Sequence, residues 1–294
     1  MNTGLRGELR RNEPLAGYTS WRAGGAADRF YIPADADDLA RFLAQLPEDE
    51  EVTWLGLGSN LLVRDGGVRG TVILVRNVLA DLTDEGGGVI RAGAGVPCAK
   101  VARFSVRADL TGAEFLAGIP GTLGGALAMN AGAFGGETWN IVREAETLDR
   151  RGRRRWRARR EFATGYRSVA LPAGEWFIGA RLGLQPAADR DGEERIRALL
   201  AQRAATQPLG EFSCGSVFRN PEGDHAARLI EACGLKGRRI GGARVSEKHA
   251  NFIINDGTAS AADIEVLIDL VAATVAEQTG IRLQPEVRII GTSG

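Results

Sequence analysis

The sequence predicts an α+β protein built in two regions, and three observations carry that reading. Through about residue 185, short strand-like runs alternate with glycine turns. Past PAADRDG at 186–192, which reads as a linker, the texture changes to helical segments with two strand candidates among and after them. The 40 glycines in 294 residues cluster without a fixed period, which points to turns and close backbone approaches, not to a fibrous or disordered chain.

Taken in order, residues 17–32 open on turn residues and end in a strand that Pro33 stops. Residues 35–46 space their apolar side chains as a helix and carry acids in the first turn. VTWLGLGSNLLVRDGGV then reads as strand, glycine turn and short apolar piece, followed by the strand TVILV. The turn Gly56-Leu57-Gly58-Ser59-Asn60 lacks the third glycine of a dinucleotide fingerprint and no clear helix follows, so a Rossmann reading is weak. GVIRAGAG at 88–95 is a strand candidate, and Pro97 opens a helix to about Val106. IVREAETLD and RRRWRARREFA form two strands joined at Arg151-Gly152. The arginines of the second read either as a phosphate or nucleic-acid patch or as a solvated edge. The balance of 37 Lys+Arg against 37 Asp+Glu favours the edge. EWFIGARLGL closes the first region. In the second, ERIRALLAQRAA, DHAARLIEACG (Asp224 as N-cap) and ASAADIEVLIDLVAATVAEQTG are helices, the last closed by Gly280. HANFIIN and LQPEVRII are strands.

Composition excludes several classes. A net charge of zero argues against a nucleic-acid or acidic-membrane partner. Three cysteines without metal spacing and two histidines make a zinc site unexpected, and no metal is predicted. MNTGLRGELRR holds no apolar run, so no signal peptide is expected. No stretch reaches the roughly 18 apolar residues of a membrane helix, so a cytoplasmic location is the expectation. No GxxxxGK[ST] occurs.

The candidate chemistry begins with Gly118–Gly136, GIPGTLGGALAMNAGAFGG. Its glycine and alanine density suits either a tight backbone crossing or a cofactor lying against main-chain N–H groups, and the cofactor is favoured. Arg167, between Tyr166 and Ser168, can clamp a carboxylate or phosphate with its planar fork. Ser216 in SCGSVFRNP places a hydroxyl beside apolar residues without the GxSxG elbow. Cys214 with His249 as base is the weaker alternative nucleophile, and a buried structural cysteine is favoured over it. Asn220, before Pro221, can start a turn or bond a ligand. Glu286 and Arg288, read on one strand, share a face.

These stretches resemble the UDP-N-acetylenolpyruvoylglucosamine reductase family, in its compact subgroup. TSWRAGGAADRF, WLGLGSNLLVRD, GIPGTLGGALAMNAGAFG, FATGYRS, SCGSVFRNP, KHANFIIN and PEVRIIG occur in family order across nearly the whole chain. The resemblance implies an FAD-binding fold of the vanillyl-alcohol-oxidase type. Two α+β subdomains would occupy residues 1–192, with their boundary near 75, joined by the terminal strand 281–294. A smaller α+β substrate-binding domain would span 193–280. It further implies bound FAD, NADPH as hydride donor, and reduction of an enolpyruvyl UDP-sugar by a single chain acting as a monomer.

Carried over residue by residue, Ser216 matches the proton donor, Arg167 the arginine at the substrate carboxylate, and Glu286 the acid beside it. Gly56, Gly58, Ser59, Asn60 and Leu61 match one FAD loop. Gly118, Ile119, Pro120, Gly121, Thr122, Gly124, Gly125, Ala128, Asn130 and Gly132 match the other. Asn220 matches a substrate-contacting asparagine, and Arg288 is a second carboxylate donor by its expected strand face. Two departures from the family pattern are Tyr18 in an asparagine place and Val169 in a serine place. The first bears on a contact at the FAD side, the second on the support of Arg167. Rival expectations are a flavin oxidase of the same fold, a nucleotide-sugar-binding protein without catalysis, and a cysteine hydrolase using Cys214.

Overall fold

The computed structural model describes residues 4–294. Its contacts divide the chain into two compact units. One holds the segment ending at Arg10 with Tyr31–Leu57 and Val72–Arg203, and the other holds Arg11–Phe30, Gly58–Thr71 and Ala204–Gly294.

The first unit is built on a five-stranded antiparallel sheet. Its strand order is Arg154–Ala158, Val142–Asp149, Glu175–Gly183, Val89–Gly93, Leu82–Gly86. Register places Ala145 opposite Ala180 and Ala180 opposite Ala92. These small residues let helices approach closely. Helices α2 (Cys98–Arg107) and α3 (Leu123–Met129) bury Val101, Ala102, Leu123 and Leu127 in the same core as Ile90, Ala92, Ala180 and Leu182. A separate core gathers Leu148, Ile178 and Ala94 with Leu39, Phe42 and Leu43 of α1 (Ala36–Gln45). Each of those three α1 side chains contributes about 1.5–3 kcal/mol by leaving water.

Helix α1 starts where expected because the Asp35 side chain accepts from the Asp38 N–H at 2.8 Å. Asp38 is itself fully buried and collects three donors: Tyr31 Oη at 2.6 Å, Arg6 N at 2.7 Å and Ala34 N at 3.0 Å. Burial alone would raise its pKa. The donors outweigh that and hold the carboxyl below its ordinary range.

The second unit packs α5 (Ala226–Ala232) and α6 (Ala261–Thr279) with an antiparallel sheet containing Ala243–Val245 and Ile253–Asn255. The first unit's Gly192–Thr206 helix, α4, runs across the division in the chain, with Ile196 buried. Helix α6 is capped twice. Ser260 and Asp263 form a capping box, and the Asp65 carboxylate accepts from Ala261 N at 3.0 Å and Ala262 N at 2.9 Å. Gly280, at φ 75°, ends it as expected.

This grouping departs from the expected domain boundaries. Residues 11–30 and 58–71 fold with the C-terminal part for identifiable reasons. Trp21 donates its indole N–H to Ile253 O at 2.7 Å, and Asn255 Nδ2 donates to Trp21 O at 2.7 Å. Arg64 pairs with Glu265 at 2.7 Å, and the strand Arg288–Ile290 lies parallel to Leu61–Val63. The start of α5 also differs from expectation. His225 is the N-cap residue, and the first-turn N–H of Ala226 is taken by Asn220 Oδ1 at 3.1 Å. Asp224 instead accepts from His225 N and pairs with Arg228.

Candidate active site

In the first unit the glycine-rich segment folds as a loop, helix α3, and a tight hairpin over residues 132–137. Much of its glycine serves close packing of protein on protein. A β-carbon on Gly118 would fall 2.3 Å from the Phe134 ring, one on Gly124 2.8 Å from Ala94 Cβ, and one on Gly132 2.5 Å from Gly136 O. The close neighbour at these three positions is protein: side chain at Gly118, both side chain and backbone at Gly124, and backbone at Gly132. The segment also fills core after all, since Ile119, Leu123, Ala126 and Leu127 are buried in it. Ala128 packs partly against the same cluster. Gly125 is different: the nearest atom to its added β-carbon is Thr122 Oγ1 at 4.0 Å, so the first turn of α3 opens on space there. Gly56 approaches the buried Thr122, whose Oγ1 would lie 2.5 Å from a Gly56 β-carbon. The main chain of Gly121 accepts from Cys98 N at 2.9 Å, which joins the loop to the start of α2.

Arg167 occupies the turn of a second hairpin, Thr164–Gly165 against Ser168–Val169. Its φ of 52° is left-handed, an uncommon state for a non-glycine residue. Its guanidinium stands 5.5 Å over the Tyr166 ring, and Nη2 donates to Gly132 O at 3.4 Å. Val169, the first of the two departures to resolve, pairs with Thr164 and packs against the core, so apolar contact supports this hairpin where a serine was expected.

Two side chains reach this hairpin. Asn130, 2% exposed and itself left-handed at φ 44°, gives both Nδ2 hydrogens away, to Glu137 Oε2 at 2.9 Å and Gly165 O at 3.0 Å. Its Oδ1 accepts from Trp139 N at 3.1 Å. Arg159 lies 5.3 Å over the Trp139 ring and donates to Trp139 O at 3.1 Å, Phe162 O at 3.1 Å and Thr164 Oγ1 at 2.7 Å. The rest of the arginine run matches the expected solvated edge only in part: Arg153, Arg154, Arg155 and Arg160 are exposed, whereas Arg157 is 18% exposed and pairs with the 11% exposed Glu175. Arg153 pairs with Asp149 at 2.7 Å and Arg154 with Glu146 at 2.8 Å.

In the second unit backbone pairing draws Ser216, Glu286 and Asn60 together. Gly215, at φ 73°, turns the chain so that Val217 N bonds Asn251 O at 2.9 Å. Glu286 N donates to Val217 O at 2.7 Å, and Arg219 N to Gln284 O at 2.9 Å. Asn60 Nδ2 donates to Glu286 O at 3.1 Å, while Asn60 O accepts from Arg288 N at 3.0 Å. The expected strand face shared by Glu286 and Arg288 is not present. The strand begins at Arg288, and Glu286 lies in irregular chain before the bend at Val287, its main chain held by Asn60 and Val217. Gly58 must be glycine: at φ 61° its added β-carbon would fall 2.2 Å from Tyr18 O. Tyr18, the other departure, bonds Glu13 Oε1 at 2.6 Å and rests 4.7 Å from Phe30, a structural role.

Residues 27–156 match an FAD binding domain family, and residues 207–290 match the C-terminal domain of UDP-N-acetylenolpyruvoylglucosamine reductase. The chain is similar to that reductase from Methylococcus capsulatus, at 62% identity over 97% of this chain and 94% of the relative. It is also 62% identical to the one from Alkalilimnicola ehrlichii, over 97% and 95%. Among solved structures, the Thermus caldophilus enzyme aligns at a TM-score of 0.83 and 33% identity, covering 98% of this chain and all of that one. The chain belongs to the UDP-N-acetylenolpyruvoylglucosamine reductase family.

Family membership makes this chain an FAD oxidoreductase with the FAD-binding α+β fold expected from the resemblance. The residues expected to do chemistry fall in different units: Arg167, Gly56 and Gly118–Gly132 in the first, and Gly58, Ser59, Asn60, Leu61, Ser216, Asn220, Glu286 and Arg288 in the second. Asn220 spends its Oδ1 on α5. Within the family pattern, KHANFIIN supplies a residue that received no role from sequence. Asn251 accepts from Phe218 N at 2.9 Å and donates to Phe218 O at 2.8 Å, imitating a neighbouring strand directly behind Ser216. His249 accepts from Asn251 N at 3.3 Å through Nδ1, and burial lowers its pKa. Burial pushes the Cys214 thiol up to about 12, which removes the thiolate a cysteine hydrolase needs. No cluster of three His, Cys, Asp or Glu side chains suited to a metal occurs among the described residues.

Proposed function

We propose that this chain reduces the enolpyruvyl group of UDP-N-acetylglucosamine enolpyruvate to give UDP-N-acetylmuramate, a peptidoglycan precursor, with NADPH as the reductant. The observation that carries the site assignment is the pairing of Glu286 N with Val217 O at 2.7 Å, which ties the SCGSVF and PEVRIIG segments into one structure. The residues present fit FAD. Gly125 faces open space at the first turn of α3, where a cofactor can lie against main chain, while Gly118, Gly124 and Gly132 are closed by protein. When bound, FAD takes hydride from NADPH and supplies it to the vinyl carbon C3.

The protein's task is the charge that develops at C2 and spreads into the substrate carboxylate. Arg167 is the donor for that carboxylate, and a fixed donor in a dry site contributes several kcal/mol to such a step. Ser216 gives its proton to C2, a transfer that requires hydrogen-bond reach because a serine hydroxyl is a weak acid. Glu286 holds the geometry and proton inventory around it, and Asn220 contacts substrate. Residues 204–280, the part of the expected 193–280 domain that groups in the second unit, serve the substrate, and the first unit carries the main FAD-binding segment 118–132. The acting form is a single chain in the cytoplasm, where both nucleotide substrates are soluble; no helix of the described residues is long and apolar enough to cross a membrane.

The test is the visible spectrum of the purified protein. A yellow protein that NADPH bleaches without oxygen, and that the enolpyruvyl sugar recolours, supports the reading. A colourless protein supports a binding role without catalysis. Rapid NADPH oxidation in air with no sugar present supports an oxidase.

A further inference from the structure

We propose that Asn130 and Arg159 are positioning residues for Arg167, with Asn130 acting through the hairpin and not as a ligand of the flavin. The inference rests on the reading of Arg167 as the donor to the substrate carboxylate and deepens it. A non-glycine residue held left-handed persists only where its surroundings over-determine it. Arg167 is such a residue, in the turn of a hairpin with two ladder pairs. The strand entering that turn is gripped at consecutive residues, Thr164 by Arg159 Nη2 at 2.7 Å and Gly165 by Asn130 Nδ2 at 3.0 Å.

The two anchors share a foundation. Trp139 N donates to Asn130, Trp139 O accepts from Arg159, and the Trp139 indole donates to Leu127 O at 2.8 Å at the end of α3. Trp139 is buried against Phe162 at 4.7 Å and Phe177 at 5.7 Å, so the foundation is core and not surface. Glu137 fixes the remaining Asn130 hydrogen at 2.9 Å, which leaves that amide no donor for a cofactor. Arg153, Arg154 and Arg157 pair with carboxylates, whereas Arg159 spends its guanidinium on two carbonyls and a hydroxyl. Its planar fork reaches three acceptors from three separate nitrogens, whereas a lysine offers its donors from a single nitrogen.

The test uses the flavin-loaded enzyme. Asn130→Gly keeps a left-handed residue without strain and removes the amide. Flavin content and anaerobic reduction by NADPH should stay within about twofold of the unmodified enzyme, while reoxidation by UDP-N-acetylglucosamine enolpyruvate slows about 10- to 100-fold. Arg159→Lys should slow reoxidation about tenfold. In an Arg167→Gln background neither substitution should add more than about twofold, because both act through the same side chain. Amide hydrogen exchange across residues 163–170 should rise in both variants, a readout that needs no substrate.

Unchanged exchange, or slowdowns that multiply in the Arg167→Gln background, overturns the inference. So does loss of flavin with a normal reoxidation rate per bound flavin, which would assign Asn130 to the cofactor. If Arg167→Gln itself leaves reoxidation unchanged, the carboxylate reading of Arg167 fails, and the exchange measurement still decides whether the two side chains hold the hairpin.

Discussion

Arg167 and Ser216 are held in place by different means. Around Ser216 main chain grips main chain: Val217 to Asn251, Glu286 to Val217, Arg219 to Gln284. Side chains add to this backbone network: Asn251 copies a strand edge at Phe218, and Asn60 Nδ2 donates to Glu286 O. Around Arg167 the ladder is two pairs long, and side chains supply the grip, Asn130 on Gly165 and Arg159 on Thr164. A site held by backbone tolerates most neighbouring substitutions but fails with the fold. One held by side chains can lose its aim while the fold survives.

That contrast can be broken from either end. The largest expected effect is Asn251→Ala, which strands the buried N–H and C=O of Phe218. Urea unfolding should register a loss of roughly 2–4 kcal/mol, with activity falling in step with folded protein. Full stability with lost turnover would mean Asn251 acts chemically and not as scaffold.

Gly124→Ala and Gly125→Ala make a paired test of the α3 turn. The first drives a methyl into Ala94 and should cost about 1–3 kcal/mol. The second enters open space and should leave the apoprotein as stable or up to about 1 kcal/mol more so, since alanine favours helix. It should nonetheless weaken FAD binding in a titration. Equal effects on apoprotein stability would contradict the assignment of open space to Gly125 alone.

Asp38→Asn serves as a control away from both candidate centres. It should cost about 1–2 kcal/mol at neutral pH while turnover per bound flavin stays unchanged. Because the folded carboxyl is held below its ordinary pKa, that advantage is present above about pH 4 and is lost as pH falls through the lowered value. The stability gap between the two proteins should therefore close as the acid is titrated. The smallest effect is expected from Cys214→Ala: a thiol buried and pushed up to about 12 takes no part in turnover, and kcat should stay within about threefold.

The side chains proposed for the chemistry stand out in sequence because hydroxyl, guanidinium and carboxylate each lie in a short constrained motif. The helices were legible from spacing, and α1 and α6 begin and end within a residue or two of expectation. The anchors were not. Three of the acceptors that Asn130 and Arg159 use are carbonyls, of Gly165, Trp139 and Phe162, and every residue carries a carbonyl, so nothing in the string marks those. Arg159 was hidden further by its place in a run of arginines that the zero net charge assigns as a whole to a solvated edge. The unit boundaries were hidden for a related reason. Trp21 and Asp65 lie far along the chain from the Ile253 carbonyl and the α6 amides they bind. The glycine-rich segment was legible as a place of close approach. Whether the close neighbour is protein or cofactor was not, because both demand a missing β-carbon.

The central claim is that Ser216 serves the substrate and not the flavin. Stopped-flow absorbance of the Ser216→Ala holoenzyme separates the two half-reactions. Flavin reduction by NADPH should proceed within about twofold of the unmodified rate, while reoxidation by the enolpyruvyl sugar slows by roughly a hundredfold or more. Equal slowing of both steps would contradict the account and leave Ser216 a structural residue.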